Sequence, residues 1–374
     1  MANSNLTSAK KAKNDEFYTQ YADIQKEIEA YLEYDEDTFK GKVVYCNCDD
    51  PFESNFFRYF VLNFKRLGLK RLITTSYKPS PIANTQLGLF GDDTTLQPQK
   101  GRPKVTANVI SLYDVSDYDG DGAFSLEDIK NMLKANNNNE WTPLQGDGDF
   151  RSDECVELLK QSDIVVTNPP FSLFREYVGQ LVEHGKRFVI IGNMNAITYK
   201  EIFPLIKDDK MWLGNGFHAG NAYFATPNVR EFSAGVYDEK TGLVKFRNVV
   251  WFSNLDHGKR HQKLSLMTMA DNRKFNKKVI KSETAYKKYD NYDAIEVPFT
   301  DAIPSDYDGV MGVPISFLDK YSPDQFEIIG ATESEGKGFS NGLWDEKNKT
   351  TQPVIERERV YKRIFIKFKN TRTR

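Results

Sequence analysis

Short apolar segments alternate with amphipathic ones along the first two-thirds of the chain, and this alternation constrains the fold more than any other feature. The apolar segments have the length of buried strands and are Lys42–Asn47, Leu69–Ser76, Asp163–Thr167 and Arg187–Gly192. Helical spacing of apolar residues occupies Glu16–Tyr34, Ser54–Gly68 and Leu173–Gly185. Strands that are apolar on both faces are typical of parallel sheets covered by helices. The sequence therefore predicts an α/β fold with helices on both faces of a parallel sheet.

The rhythm of the chain also predicts its division into domains. A length of 374 residues is typical of two domains. The polar start predicts a mobile basic tail over 1–13, and the apolar segments predict one domain over 14–255. Within it, 77–145 is rich in Pro, Gly, Asn and Asp, and we interpret it as an insertion or a decorated loop. Basic helical segments and Pro-marked turns then predict a smaller α+β domain over 256–374.

The formal net charge of −2 conceals two segments of opposite charge. Leu112–Asp163 carries 13 acidic and 4 basic residues, whereas His257–Lys288 carries 10 basic and 2 acidic residues. Both could be solvated faces, but the second is also typical of a surface that contacts nucleic-acid phosphates. The candidate phosphate contacts are Lys259, Arg260, Lys263, Arg273, Lys274, Lys277, Lys278 and Lys281.

The turn Asn168-Pro169-Pro170-Phe171 directly follows the apolar strand that ends at Thr167. Ligands of open α/β sheets bind at the carboxyl ends of the strands. The carboxamide oxygen of Asn168 and the rigidly held carbonyl of Pro169 could both accept hydrogen bonds from one exocyclic amino group. Phe171 offers a face on which a base can stack. A simple strand-ending turn is the alternative, but the combination favours methylation of a base flipped out of a duplex, with no general base required.

Two other turns carry polar residues suited to a methyl donor. Asn47 and Asp49 follow the first apolar strand, where they could bind the ammonium group and ribose hydroxyls of S-adenosylmethionine. The absence of a Gly-x-Gly fingerprint argues against a dinucleotide. Asp149 and Phe150 could contact the adenine of the same cofactor. The alternatives are an ordinary capping turn at the first position and an ordinary Gly/Asp loop at the second.

The order of these segments resembles the EcoRI-type adenine-specific DNA methyltransferases. The segments that carry the resemblance are Asp15–Gln20, Val44–Pro51, Gly148–Ser152 and Asn168–Phe174. The resemblance covers about 14–255 well and implies a Rossmann-like methyltransferase domain with S-adenosylmethionine as donor. It further implies N6 of adenine in double-stranded DNA as acceptor, and the basic stretch within 256–374 favours a DNA target-recognition role for that region.

The resemblance also implies roles for individual residues. The cofactor-binding residues would be Phe17, Tyr18, Thr19, Asn47, Asp49, Asp149 and Phe150, and the catalytic residues Asn168, Pro169, Pro170 and Phe171. The chain lacks the glycine-rich first motif of the wider amino-methyltransferases. Its second strand ends in Thr74-Thr75-Ser76, without the usual acidic ribose ligand. The further partner implied is a restriction endonuclease that acts on the same site without a stable complex.

The remaining signals bear on location, metals and alternative functions. Three cysteines and no apolar run near 18 residues predict a cytoplasmic, reduced protein with no membrane partner, and the resemblance implies that it is bacterial or phage-encoded. Asp117–Asp128 resembles a calcium loop but ends in Asp instead of Glu, and we expect an acidic loop and no metal site. Phe217 or Tyr223 could pack on a flipped base or belong to the core. The alternative functions are methylation of a protein glutamine or an RNA amino group, or a non-catalytic DNA- or calcium-binding module.

Overall fold

The computed structural model describes residues 18–48, 54–76, 107–115, 131, 138–217, 221–225, 237–333 and 338–369. The chain divides into two compact units. The first unit comprises 1–194 and 216–255, and the second comprises 195–215 and 256–374. The predicted tail, the calcium-like loop and most of 77–145 lie outside the described residues.

The strands and helices are numbered here in chain order. The strands are β1 (Tyr18–Thr19), β2 (Val43–Cys46), β3 (Arg71–Thr75), β4 (Asn108–Leu112), β5 (Glu140–Pro143), β6 (Ile164–Thr167), β7 (Arg187–Asn193), β8 (Trp212–Leu213), β9 (Ala222–Ala225), β10 (Tyr237–Asp238), β11 (Leu243–Phe246), β12 (Val249–Ser253), β13 (Ile295–Glu296), β14 (Met311–Pro314), β15 (Phe326–Ala331), β16 (Val354–Ile355), β17 (Glu358–Arg359) and β18 (Arg363–Phe368). The α-helices are α1 (Tyr21–Tyr34), α2 (Asn55–Leu62), α3 (Phe64–Leu67), α4 (Asp153–Gln161), α5 (Phe174–Glu183), α6 (Phe203–Lys207), α7 (Met269–Phe275) and α8 (Lys277–Ile280).

A large mixed sheet forms the centre of the first unit. Its strands in this unit follow the order β5-β4-β3-β2-β6-β7-β12. The four middle strands, β3, β2, β6 and β7, are parallel, and these are the four apolar segments that the sequence predicts as strands. The prediction of a parallel sheet is thus confirmed for its centre, where strands β2 and β6 are buried along their whole length.

The flanking strands of this sheet run antiparallel to the middle ones. β12 pairs with β7 on one side, and β4 pairs with β3 on the other. β4 and β5 come from the segment that we interpreted as an insertion, and they pair with each other to widen the sheet. The strands described in this segment therefore form an antiparallel pair at one end of the sheet, with β5 as the edge strand, which differs from a simple loop.

Local sequence signals explain where the helices of the first unit begin and end. Ser54 caps α2, because its hydroxyl accepts a hydrogen bond from the backbone N–H of Phe56. Gly68 ends α3 in the left-handed conformation, with φ 62°. The helices α1 and α2 contribute Ile24, Ile28, Phe56 and Phe60 to the main core, which also contains side chains of β2 and β6. None of the described helices is long and apolar enough to cross a membrane.

A second, smaller sheet in the first unit joins distant parts of the sequence. Its order is β1-β9-β11-β10, with antiparallel pairing throughout. The strand β1 replaces the start of the helix that the sequence predicts from Glu16, and the helix α1 begins at Tyr21. Thr19 faces Phe224 across the strand pair, so pairing with β9 holds the β1 segment in an extended conformation.

The second unit contains a four-stranded sheet of order β13-β14-β18-β15 and a hairpin of β16 and β17. One of its cores contains Tyr289, Tyr292 and Phe365. Arg363 and Glu296 form a buried bidentate ion pair, with Arg363 Nη2 2.6 Å from Glu296 Oε1. The described residues of this unit thus include both strands and helices, and the unit joins 195–215 to 256–374.

Candidate active site

The carboxyl ends of β2 and β6 lie side by side at the centre of the main sheet. Val44 pairs with Ile164 and Tyr45 with Val165, so the residues that follow these strands, Asn47 and Asn168, leave the sheet at the same edge. The hydroxyl of Thr167 donates a hydrogen bond to the backbone oxygen of Asn47 and ties the two strand ends together. The structure therefore brings together the first predicted cofactor motif and the predicted catalytic turn.

Tyr177, on helix α5, fixes the side chain of Asn47. Asn47 is 3% exposed, and its Oδ1 accepts a hydrogen bond of 2.5 Å from the Tyr177 hydroxyl. Burial raises the pKa of Tyr177 well above 10, so the hydroxyl stays protonated and acts as donor. Because α5 starts directly after the Asn-Pro-Pro-Phe segment, one short stretch of chain carries the predicted catalytic residues and also positions Asn47.

The loop that precedes α4 approaches the same edge of the sheet at the end of β3. Gly148 has φ 79°, and a Cβ atom there would lie 2.1 Å from the backbone oxygen of Ser76. Only glycine permits both this backbone conformation and this approach. The close contact places Asp149 and Phe150 at the carboxyl edge of the sheet.

Phe150 is buried against Tyr177. The ring centroids of the two side chains are 5.0 Å apart at an interplanar angle of 80°. Gln180, one turn further along α5, donates a hydrogen bond of 3.1 Å to the backbone oxygen of Phe150. The helix α5 therefore organises both predicted cofactor segments, Asn47 and Asp149–Phe150.

The carboxylate of Asp149 is held by Arg151. Arg151 Nη2 lies 2.6 Å from Asp149 Oδ2, and the backbone N–H and Nε of Arg151 donate to Asp149 Oδ1. Burial alone would raise the pKa of Asp149, but these hydrogen bonds outweigh it and lower the pKa below 3.8. Asp149 is therefore ionised at neutral pH and can accept hydrogen bonds.

The Asn-Pro-Pro-Phe segment is an ordered turn between β6 and α5. Asn168 is half-buried and Pro169 is buried. The carbonyl of Pro170 accepts from the N–H of Leu173 and starts a short 3₁₀ turn at Phe171. The carbonyl of Pro169 accepts no hydrogen bond from the described part of the chain. Phe171 packs against the edge of the main core.

Thr19 lies in β1 at the start of helix α2. Its backbone oxygen accepts a hydrogen bond of 2.7 Å from Asn55 Nδ2, next to the N-cap Ser54. The Thr19 hydroxyl is buried and has no hydrogen-bond partner among the residues that the structure describes. A buried hydroxyl without a partner is unfavourable, and it is a feature expected where a polar ligand binds.

Some predicted residues are not described at this site. Phe17 and Asp49 lie outside the described residues, and the side chain of Tyr18 is likewise not described. Phe217 is a core residue, because its ring stacks on Trp251 with centroids 5.4 Å apart. Tyr223 is exposed on β9 beside Lys245, whose Nζ lies 5.8 Å from the ring centroid.

The eight predicted phosphate contacts differ in their surroundings. Lys263, Arg273, Lys274, Lys277, Lys278 and Lys281 are exposed. Lys259 pairs with Asp319 at 2.7 Å, and Lys278 pairs with Asp301 at 2.8 Å. Arg260 is 7% exposed, pairs with Asp209 and Asp256, and lies over the Trp212 ring at 3.9 Å. Its environment is that of a structural ion pair.

Sequence reasoning missed three residues that organise this site: Thr167, Tyr177 and Arg151. Tyr177 falls on the apolar face of α5 with Phe174, Val178 and Leu181, and this spacing predicts a core residue. The hydroxyl of Thr167, at the end of an apolar strand, was the available signal, since a polar group buried there needs a partner.

Comparisons with known proteins identify relatives along nearly the whole chain. The family model described as "Adenine-specific methyltransferase EcoRI" matches residues 5–369. The Type II methyltransferase M.EcoRI of Escherichia coli is 42% identical over 367 residues, which is 97% of this chain and 96% of that protein. The Type II methyltransferase M.MpnI of Mycoplasma pneumoniae is 36% identical, over 86% of this chain and 83% of that protein.

A third relative supports the same assignment. The Type II methyltransferase M.MgeORF184P of Mycoplasma genitalium is 34% identical, over 86% of this chain and 84% of that protein. No solved structure matches the chain significantly. The family match and these identities show that the chain belongs to the EcoRI family of adenine-specific methyltransferases.

Proposed function

We propose that the chain transfers a methyl group from S-adenosylmethionine to N6 of an adenine that is flipped out of double-stranded DNA. Adenine-specific DNA methylation is the activity of its family, and the chain shares that activity. The observation that carries the finer proposal is the meeting of Asn47, Asn168 and the Asp149 loop at one carboxyl edge of the sheet.

Several features at this edge fit the cofactor. The donor supplies a methyl group bound to a positively charged sulfur, which makes the methyl carbon electrophilic. The buried hydroxyl of Thr19 has no partner in the described chain, and the ionised carboxylate of Asp149 can accept hydrogen bonds. We assign cofactor binding to Phe17, Tyr18, Thr19, Asn47, Asp49, Asp149 and Phe150. Phe150, which is buried against Tyr177, would contribute by fixing the backbone next to Asp149.

The Asn-Pro-Pro-Phe turn orients and polarises the target amino group. Asn168 Oδ1 and the carbonyl of Pro169 accept its two hydrogens, which directs the nitrogen lone pair at the methyl carbon. Rotation of the Asn168 carboxamide by 180° exchanges the positions of Oδ1 and Nδ2, so the accepting oxygen can be the end that faces the base. The N6–C bond would form as the bond between the methyl carbon and the donor sulfur breaks, with S-adenosylhomocysteine as the leaving product. The positively charged N6 would then lose one proton to water, so alignment of the two reactants would suffice without a general base.

Substrate recognition requires DNA to reach this edge with the target base unstacked. An adenine within a duplex cannot enter a pocket, so the base must rotate out of the helix. We assign phosphate binding to the exposed members of the basic set, and we leave Arg260 out because its charge is paired with Asp209 and Asp256. A restriction endonuclease that reads the same site, without a stable complex, would complete a restriction-modification system.

The test combines methyl transfer with a matched variant. Wild type, Asn168→Ala and Asn63→Ala are incubated with plasmid DNA and S-adenosylmethionine that carries a labelled methyl group. Asn63 is a partly buried asparagine between the helices α2 and α3. Its side chain forms hydrogen bonds with the backbone oxygen of Tyr59 and with the side chain of Arg66. We expect Asn168→Ala to lower kcat by about 10²-fold or more, while Asn63→Ala retains activity.

The distribution of label decides between the proposal and its alternatives. Label in DNA that depends on Asn168 supports the proposal. Label only in RNA or in protein, or full DNA methylation by Asn168→Ala, contradicts it. Unfolding curves and cofactor affinity for each variant exclude a loss of folded protein as the cause.

A further inference from the structure

Two apolar side chains of the second unit are exposed within the basic segment. Phe275, at the end of α7, is 60% exposed, and Ile280, at the end of α8, is 57% exposed. Within the described ranges, no other Phe, Ile, Leu, Val or Met exposes as large a fraction. We call Phe275 and Ile280 the apolar pair. Such exposure has a hydrophobic cost in water and favours a partner that covers it.

The helices that carry the apolar pair are held in place by specific hydrogen bonds. The hydroxyl of Thr268 caps α7 through the N–H of Asp271 at 3.1 Å. Asn276 separates the two helices and caps α8, since its Oδ1 accepts from the N–H of Lys278 at 3.0 Å. The fully buried Asn272 anchors α7, and the buried Val279 anchors α8. The apolar pair is therefore held outward by the packing of these helices.

Exposed lysines surround the apolar pair. Lys274, Lys277 and Lys281, which we call the lysine rim, form no ion pair with any described residue. Lys274 Nζ lies 4.9 Å from the centroid of the Phe275 ring. Residues 263–281 contain six basic side chains and one acidic side chain. The partner of this surface must therefore combine negative charge with an apolar interior.

Duplex DNA has this combination, because its phosphates lie outside and its stacked bases lie inside. We propose that the apolar pair, led by Phe275, acts as a wedge that contacts the base stack and bends the duplex while the lysine rim binds phosphates. Apolar wedges of Phe or Ile that unstack base steps kink DNA by about 20–90° in other proteins. This inference rests on the proposed function, since it takes DNA as the substrate. Distortion of the duplex also reduces the energy that is needed to extrude a base.

The experiment measures bending and binding separately. The adenine that the wild type methylates is first located, and a duplex of about 40 base pairs around it receives a fluorophore at each end. Energy transfer between the fluorophores reports bending, and titration at several salt concentrations gives Kd and its salt slope. The variants are Phe275→Ala, Phe275→Leu, Lys277→Ala with Lys281→Ala, and Val182→Ala. Val182 is 43% exposed on α5, outside the basic segment, and serves as the matched control.

The proposal predicts a different result for each variant. Phe275→Ala should weaken binding by about 5- to 150-fold, the equivalent of about 1–3 kcal/mol, and reduce bending without changing the salt slope. Phe275→Leu should recover part of the bending, because leucine is also an effective wedge. The double lysine variant should lower the salt slope by about 2. Val182→Ala should match the wild type, since exposed substitutions change stability by less than about 0.5 kcal/mol.

Two results would overturn the inference. One is unchanged Kd and bending in Phe275→Ala while wild type methylates the duplex, which leaves the proposed function intact. The other is binding of wild type to vesicles with anionic phosphatidylserine, lost in Phe275→Ala while DNA binding is retained, which would identify a membrane contact. If wild type neither binds nor methylates DNA, the proposed function itself fails, and the wedge fails with it.

Discussion

At the scale of single residues, the side chain of Tyr177 connects the turn of Asn47 with the turn of Asp149 and Phe150. It donates to the buried Oδ1 of Asn47, while its ring packs on Phe150. A buried acceptor that loses its donor costs about 1–3 kcal/mol. Under the proposed function, Tyr177 is therefore a positioning residue that acts on the cofactor through Asn47.

Tyr177→Phe should lower the free energy of unfolding by about 1–3 kcal/mol and also weaken cofactor binding. Tyr45→Phe is the matched control, because the buried Tyr45 hydroxyl bonds Thr75 Oγ1 at 3.1 Å on the neighbouring strand and forms no hydrogen bond with Asn47 in the described part of the chain. Calorimetric titration with S-adenosylmethionine and denaturant unfolding measure the two effects. Equal cofactor affinity in both variants would show that Tyr177 has only a structural role.

Gly148 is the second residue on which the site depends. A Cβ atom at this position would overlap the backbone oxygen of Ser76, whereas a Cβ atom at Gly41 would meet nothing within 4 Å. Both glycines have positive φ, at 79° and 68°, so alanine suffers backbone strain of about 1–2 kcal/mol at either position.

Gly148→Ala should therefore destabilise the fold by about 1–3 kcal/mol more than Gly41→Ala, because only the first adds a steric clash. It should also reduce cofactor affinity, since Asp149 must move with the loop. Denaturant unfolding and cofactor titration of the two variants provide the comparison. Equal losses of stability in the two alanine variants would show that the loop of Gly148 does not pack closely against the backbone at the end of β3.

At the scale of elements, the 3₁₀ turn Gly258–His261 carries a histidine between two carboxylates. His261 Nδ1 lies 2.8 Å from Asp324 Oδ2, and Nε2 lies 2.9 Å from Asp256 Oδ2. Burial lowers the pKa of His261, but the hydrogen bonds and charges of Asp324 and Asp256 outweigh it and raise the pKa above 6.5. The protonated ring thus joins this turn to the segment before β15.

The stabilisation from His261 should be complete below pH 6.5, the pKa of an unfolded histidine, and lost as pH rises through the higher folded pKa. His261→Gln should reduce this dependence on the alkaline side of pH 6.5. Urea unfolding of both proteins at a series of pH values measures it, and the difference between them cancels the contribution of His257. Parallel stability curves for wild type and variant across this range would contradict the assignment.

Elements with a local signal could be predicted from the sequence, and elements that depend on distant partners could not. The apolar runs of β2 and β6, the Ser54 cap and the Gly68 terminus each have a local cause. β5 is a largely exposed edge strand without an apolar run, and its pairing with β4 is tertiary.

The same distinction holds for the candidate site. The position of the Asn-Pro-Pro-Phe turn at a strand end follows from local sequence, and so could be predicted. The bond between Tyr177 and Asn47 spans 130 positions, and the burial of Arg260 depends on Asp209 and Trp212. No local pattern contains these contacts. The exposed lysines could be recognised as basic, but their partners could not.

At the scale of the whole molecule, the proposed chemistry and the proposed DNA contacts belong to different compact units. Asn47, Asp149 and Asn168 belong to the first unit, whereas the lysine rim and the apolar pair belong to the second. The net charge of −2 does not reveal the positive charge of the basic segment, because acidic and basic side chains nearly cancel over the whole chain. A polyanionic substrate is therefore attracted by local charge, and its binding should depend on salt.

The most direct measurement of the central claim is the mapping of modified bases in cellular DNA. A host that lacks adenine methylation expresses wild type or Asn168→Ala at equal levels, and its genome is sequenced by a method that detects N6-methyladenine. We predict methylated adenines within one short sequence motif in the wild-type strain and none at that motif in the variant strain. Methylation that persists in the Asn168→Ala strain, or an absence of modified adenine in the strain that expresses the wild-type protein, would contradict the proposed function.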